Sequence, residues 1–177
     1  PGEHQGIIHA FSELQNELDV LLIDTAAGIS DSVTSFCKAA SEVLIVICDE
    51  PASLADSYAM IKVLNMDHGV ERFHILANMT ESEDAGFSLY RRLLQVCERF
   101  LDVDLDYVGA VPRDAFQQRA NRHQTLVSKA YPRSKATKAW RNIADTISRW
   151  EPGQGPSGNL EFFLERLISS DSVMEVA

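Results

Sequence analysis

The chain has 177 residues, 45% of them hydrophobic, and a formal charge of −10. These values suit one globular domain with a sizeable core and argue against a surface that binds nucleic acid non-specifically as a whole. No apolar run reaches the roughly 18 residues of a membrane span, and the opening Pro1-Gly2-Glu3-His4 has no targeting character, so a cytoplasmic protein is expected.

Elements alternate along the chain. Ile7, Phe11, Leu14 and Leu18 fall on one helical face, and an apolar run from Leu18 ends in Asp24. Such a run suits a strand buried on both faces of a parallel sheet. Ser30 or Asp31 can cap a helix through about Ala40, ahead of a second strand over Val43–Cys48. Ser53, with Asp56 three residues on, opens the next helix; strand three is Phe73–Asn78, a long helix covers Glu83–Leu101, and strand four is Leu105–Val111. Strands about 25 to 30 residues apart with helices between them predict an α/β fold with a mostly parallel, doubly wound sheet.

Beyond strand four, Pro112-Arg113-Asp114 starts a loop and short helix. Lys135–Trp150 forms another, with Ala136, Trp140, Ile143, Ile147 and Trp150 inward and Lys135 and Lys138 outward. Residues 1–150 make one domain, 151–158 a Pro/Gly linker, and 159–170 an amphipathic tail helix capped by Asn159, with Leu160, Phe163, Leu164, Leu167 and Ile168 on its apolar face.

Three cysteines, Cys37, Cys48 and Cys97, are odd in number and widely spaced, which favours reduced thiols over a disulfide or zinc site. The five histidines show no ligand spacing. Charge is uneven: between Arg113 and Arg149 nine basic residues (Arg113, Arg119, Arg122, Lys129, Arg133, Lys135, Lys138, Arg141, Arg149) face two acidic ones, so this segment carries +7 and the rest −17. A solvated helix surface is the ordinary reading of such a cluster. The alternatives are ATP phosphates, an acidic partner or DNA.

Asp24 carries the chemistry of the first strand. A carboxylate at a strand's carboxyl end falls where open α/β sheets bind ligands. In phosphate-handling folds such an Asp holds Mg²⁺, often through water, while loop amides such as that of Gly28 approach a terminal phosphate. The same Asp can simply cap the next turn. The residue alone does not separate the two.

Asp24-Thr25-Ala26-Ala27-Gly28 after an apolar strand, Asp49-Glu50-Pro51-Ala52-Ser53 with Asp56 after the second, Asn78 ending the third and Val111-Pro112-Arg113-Asp114 ending the fourth together resemble the MinD/ParA group of deviant P-loop ATPases. The resemblance runs from about Gly6 to Ile168 and is strongest to the FlhG/FleN branch of flagellar-number regulators. It departs in one respect: the group's glycine-rich lysine loop is absent, and no Gly-Lys pair occurs. The chain therefore reads as the later part of a longer protein, and this piece alone is not expected to bind nucleotide tightly or hydrolyse it.

For the complete protein the resemblance implies ATP and Mg²⁺ as cofactors, with slow hydrolysis timing an ATP-bound homodimer. It places Asp24 on the magnesium-bound water and Gly28 in the loop that senses the γ-phosphate. Asn78, whose amide offers both donor and acceptor, and the adjoining Met79 contact the adenine; Pro112, Arg113, Asp114 and Gln117 wall its pocket. Glu50 and Asp56 lie near the dimer face, although Asp56 can equally cap a helix. Related proteins hold the inner membrane or the cell pole through a terminal amphipathic helix. Here Glu161, Glu165 and Asp171 outnumber Arg166, so conditional lipid contact and docking onto the protein's own groove both stay open. Three classes result: a regulatory ATPase restraining a flagellar transcriptional activator, a DNA-binding partition ATPase using the basic segment, or an interaction domain that kept the sheet without the nucleotide.

Overall fold

The computed structural model describes residues 20–150, which fall into two units, 20–43 and Leu44–Trp150. The expected first helix, linker and tail helix lie outside the described residues, and with them Leu160, Phe163, Leu164, Leu167 and Ile168.

In the first unit the described part of the expected strand ending at Asp24 is not formed: among the described residues, 20–24 pair with no strand, and Val20 and Leu22 are 64% and 82% exposed. Apolarity makes a strand interior only when ladders flank it, and among the described residues this run has no such neighbour. The helix after it does form. Helix α1 (Asp31–Ala39) follows Ser30, whose carbonyl accepts from the Thr34 amide 3.0 Å away, with Asp31 in the first turn and Lys38 in the last, as the helix dipole favours.

The second unit begins with strand β1 (Leu44–Ile47). It continues through helix α2 (Pro51–His68), strand β2 (Arg72–Thr80), helix α3 (Glu83–Phe100) and strand β3 (Asp104–Pro112). Helices α4 (Ala115–Arg122), α5 (Val127–Ala130) and α6 (Lys135–Ile147) complete it. The three strands lie in chain order and are parallel throughout, as the alternation predicts. Helix α2 opens two residues before the expected Ser53, because Pro51 occupies the first turn, where its fixed φ and missing N–H cost nothing. Ser53 instead accepts from the Cys48 amide at 3.0 Å, closing the turn from β1 into α2. Helix α3 starts at Ser82, whose hydroxyl accepts from the Ala85 amide at 3.1 Å.

One face of the sheet packs on α3. The closest approach is at Gly86, where a Cβ would lie 2.5 Å from the Ala110 Cβ and 3.2 Å from that of Ala77. The other face holds a core of Leu76, Val108 and Val111 against Ala120, Val127, Ala136 and Ile143. His74, 5% exposed, stacks on Trp150 with ring centroids 3.8 Å apart and planes 16° apart. Trp140, expected inward, is 37% exposed, and α6 ends at Ile147 rather than Trp150.

Two single-residue bulges re-aim the ends of the sheet. In β3, Ile75 pairs with Tyr107 but Leu76 pairs with Gly109, so Val108 is extra. Gly109 sits at φ +145, a conformation that only glycine adopts without strain. The extra residue shifts the alternation by one position. Ala110, rather than residue 109, then faces α3, and Val111 joins the opposite core. In β2, Asn78 pairs with Val111 and Thr80 with Pro112, which leaves Met79 as the extra residue at φ +55 and extends the strand two residues past its expected end.

Candidate functional site

The carboxyl ends of β2 and β3 meet where doubly wound sheets bind ligands. Met79 is turned outward, 46% exposed, in a left-handed conformation that costs a non-glycine residue of order 1 kcal/mol. Three hydrogen bonds hold it there. Its amide donates to Asn78 Oδ1 at 2.8 Å, its carbonyl accepts from Arg113 Nε at 3.0 Å, and the Arg113 amide donates to the Thr80 carbonyl at 2.8 Å. Asn78, Met79 and Arg113 are thus one cluster. Because the Asn78 oxygen is engaged, its Nδ2 donors are the part of the amide left to meet a ligand. Pro112, the last residue of β3, is paired to Thr80 beside them.

Asp114 and Gln117 have further tasks. Asp114 Oδ1 accepts from the Phe116 amide at 2.8 Å and Oδ2 from the Ala136 amide at 2.9 Å, so a single carboxylate caps both α4 and α6. Burial works against the charge, but the amides of Ala136, Phe116 and Lys135 and the Ser134 hydroxyl outweigh it and hold the carboxyl below its ordinary value. Gln117 Oε1 accepts from Trp140 Nε1 at 3.1 Å while its Nε2 donates to Asn121 Oδ1 at 2.8 Å, which ties α4 to α6.

At the end of β1, Asp49 is paired with Arg92 of α3, and Glu50 is the N-cap residue of α2 with its carbonyl accepting from the Leu54 amide at 3.2 Å. Asp56 is exposed and its side chain makes no hydrogen bond among the described residues, so it does not cap α2. Burial chiefly raises the Cys48 thiol's pKa; Glu50 adds to the rise and Arg113 opposes it. Asp24 and Gly28 belong to the first unit. Asp24 is exposed, and Gly28 has φ +102 with open space where a Cβ would stand. Among the described residues no group of three metal-binding side chains forms.

Sequence reasoning passed over Thr80, whose hydroxyl is buried without a hydrogen-bond partner among the described residues. No local pattern marks it. Only the bulge at Met79 puts this residue into a buried register. The double cap by Asp114 had a partial signal in the Asp114-Ala115-Phe116 and Ser134-Lys135-Ala136-Thr137 helix starts, but their meeting is a tertiary event.

No protein-family model matches the chain. Over 168 residues it is 51% identical to the protein named antiactivator FleN of Pseudomonas aeruginosa, a match that covers 95% of this chain and 60% of that protein. It is 30% identical over 157 residues to the flagellum site-determining protein YlxH of Helicobacter pylori, covering 86% of this chain and 53% of the relative. To the septum site-determining protein MinD of Bacillus subtilis it is 24% identical over 135 residues, or 76% and 49% of the two chains. The chain therefore spans 60%, 53% and 49% of the lengths of these curated relatives. With its parallel α/β sheet and these likenesses, it is a FleN-like sequence of the MinD/ParA type, corresponding to part of its relatives' length.

Proposed function

We propose that the whole protein to which this chain corresponds is an ATP-binding and ATP-hydrolysing regulator of flagellar number or placement. It acts as an ATP-switched homodimer that restrains a flagellar transcriptional activator. The observation that carries the reading is the cluster of Asn78, Met79 and Arg113 beyond the ends of parallel strands, in a chain 51% identical to a protein named as an antiactivator. Asn78 presents amide donors to the adenine edge, and the Met79 backbone, fixed by Arg113, supplies a rigid floor beside Pro112. Asp114 and Gln117 hold the adjoining helix starts in place. A magnesium ion that travels with a triphosphate needs only one or two carboxylates from protein, and the exposed Asp24 would supply one. Bound, it neutralises phosphate charge. Gly28 leaves its loop free to approach the terminal phosphate.

Glu50 and Asp56, at the start of α2, are assigned to the dimer face, and the tail residues Leu160 to Ile168 to conditional contact with the membrane or with protein. The full-length protein tests the reading directly. Asp24→Ala abolishes phosphate release and ATP-dependent dimerisation measured by light scattering, while Asn78→Ala weakens ATP binding and leaves the monomer's melting temperature within a few degrees. Normal turnover by the Asp24 variant removes that carboxylate from the mechanism.

A further inference from the structure

Apart from Arg113, the cations of the basic segment beyond β3 have no task in the nucleotide reading. All nine of its Lys and Arg side chains are exposed, and among the described residues none of them forms an ion pair. Elsewhere among the described residues Arg92 pairs with Asp49 and Arg72 with Asp106, whereas the segment's cations have no such partner. Of the segment's two acids, Asp114 is committed to two helix N-termini, which leaves Asp145 alone to oppose the cations. This field is not neutralised from within.

The same surface carries apolar anchors held rigidly. Phe116 is 43% exposed, packs on Tyr131 with ring centroids 4.8 Å apart, and lies under the Arg119 guanidinium at 5.8 Å. Trp140, 37% exposed, is fixed by Gln117, and Leu126 is 71% exposed. Beneath them Ala120, Val127, Ala136 and Ile143 fasten α4, α5 and α6 to the sheet. Aromatic residues and arginine on a rigid support are the groups that dominate binding energy in protein interfaces. We propose that the outer face of α4–α6 is a docking surface for an acidic, apolar-bearing surface of another protein. Charge complementarity selects such a partner. The −17 carried by the rest of the chain repels an extended polyanion, and an aliphatic side chain as exposed as Leu126 is desolvated best by apolar protein surface. The proposal needs neither ATP nor dimerisation.

The test uses full-length protein, without nucleotide, and a fluorescein-labelled 16-residue helical peptide with glutamates flanking a leucine stripe. Its Glu→Gln and Glu→Lys versions and a 20-base-pair duplex serve as controls in fluorescence anisotropy at 50 and 200 mM NaCl. The glutamate peptide is expected to bind, the lysine version not to bind, and the glutamine version to bind about tenfold more weakly, as loss of several rim charges implies. The triple variant Arg119→Glu, Arg122→Glu, Lys129→Glu loses about tenfold for the glutamate peptide at low salt and less at high salt, where exposed charges are screened. Leu126→Ser weakens binding to a similar extent at both salt concentrations. Circular dichroism melts confirm that the variants fold. Failure of the glutamate peptide to bind, indifference to the triple reversal, or duplex DNA binding more tightly than the peptide overturns the proposal, the last in favour of a nucleic-acid surface. None of these outcomes bears on ATP binding, which the Asn78→Ala measurement reads separately.

Discussion

Gly86→Ala tests whether the strand ends are positioned by the approach of α3 to the sheet. Two effects oppose each other. In a helix, alanine is better than glycine by about 1 kcal/mol. Against that, the new methyl would stand 2.5 Å from the Ala110 Cβ, 3.0 Å from the Tyr107 hydroxyl and 3.2 Å from the Ala77 Cβ. Carbon atoms in contact sit about 3.5 to 4.0 Å apart, so the helix must retreat by about 1 Å. The two alanines cannot move aside, because each Cβ is fixed to strand backbone and both residues are buried. Retreat also loosens Leu89, Leu93 and Cys97, buried on the same helix, and stretches the Tyr107 to Glu83 hydrogen bond of 3.2 Å.

Overpacking costs about 3 kcal/mol at the upper end of its range, so the net loss is about 2 kcal/mol after the propensity gain. With a urea slope of about 1 to 3 kcal/mol/M, the unfolding midpoint falls by roughly 1 M with the slope unchanged. Adding Ala110→Gly removes the closest opposing carbon and restores stability in part, a coupling that a double-mutant cycle reads. Ala77 and Ala110 immediately precede Asn78 and Val111, so the single variant also weakens ATP binding by the full-length protein. A Gly86→Ala protein as stable as its parent or more so, as propensity alone requires, refutes the packing argument.

Asp114→Ala removes two helix caps and is expected to lower stability by about 1 to 3 kcal/mol at pH 7. Because the folded carboxyl titrates below its unfolded value, this contribution is complete above about pH 4 and is lost as pH falls through the lower folded value, so parent and variant midpoints in urea converge in acid. Burial pushes the Cys97 thiol up to about 11, so at pH 8 a disulfide reagent labels the half-buried Cys37 and Cys48 well before Cys97, and equal rates for all three count against the buried assignment. Trp150→Ala abolishes the stack on His74 and lowers the melting temperature by several degrees, while His74→Phe, which keeps a ring there, retains most of it. If both variants melt alike, the stack does not anchor the end of α6.

The fold was legible wherever burial on both faces and a helical period are properties of contiguous residues. Phe73, Ile75 and Ala77 reach one side of β2 while His74 and Leu76 reach the other, and all five are buried, so a run that is apolar but for His74 announced a central parallel strand. The run ending at Asp24 has the same composition without a ladder among the described residues. Composition states that a segment can be interior; pairing depends on what lies beside it. Boundaries moved where a backbone rule outweighed a side-chain one, as Pro51 did over Ser53 at the start of α2.

The candidate site was legible in location but not in wiring, and the two bulges are the reason. A one-residue insertion reverses the facing of everything after it, yet Val108-Gly109 and Met79 carry no turn signature beyond a single glycine. Had β2 and β3 run straight, residue 79 would take the α3-facing position that Thr80 holds, and Val111 would leave the core against α6. Instead the shift turns Met79 outward, buries the Thr80 hydroxyl and aligns the Arg113 side chain with the Met79 carbonyl. The strain at Met79 is therefore maintained by bonds from both flanks, from Asn78 within its own strand and from Arg113 across the sheet. Loss of either bond relaxes the same residue, and that links Asn78 with Arg113, just past the end of β3, through the two peptide units that flank the Met79 Cα.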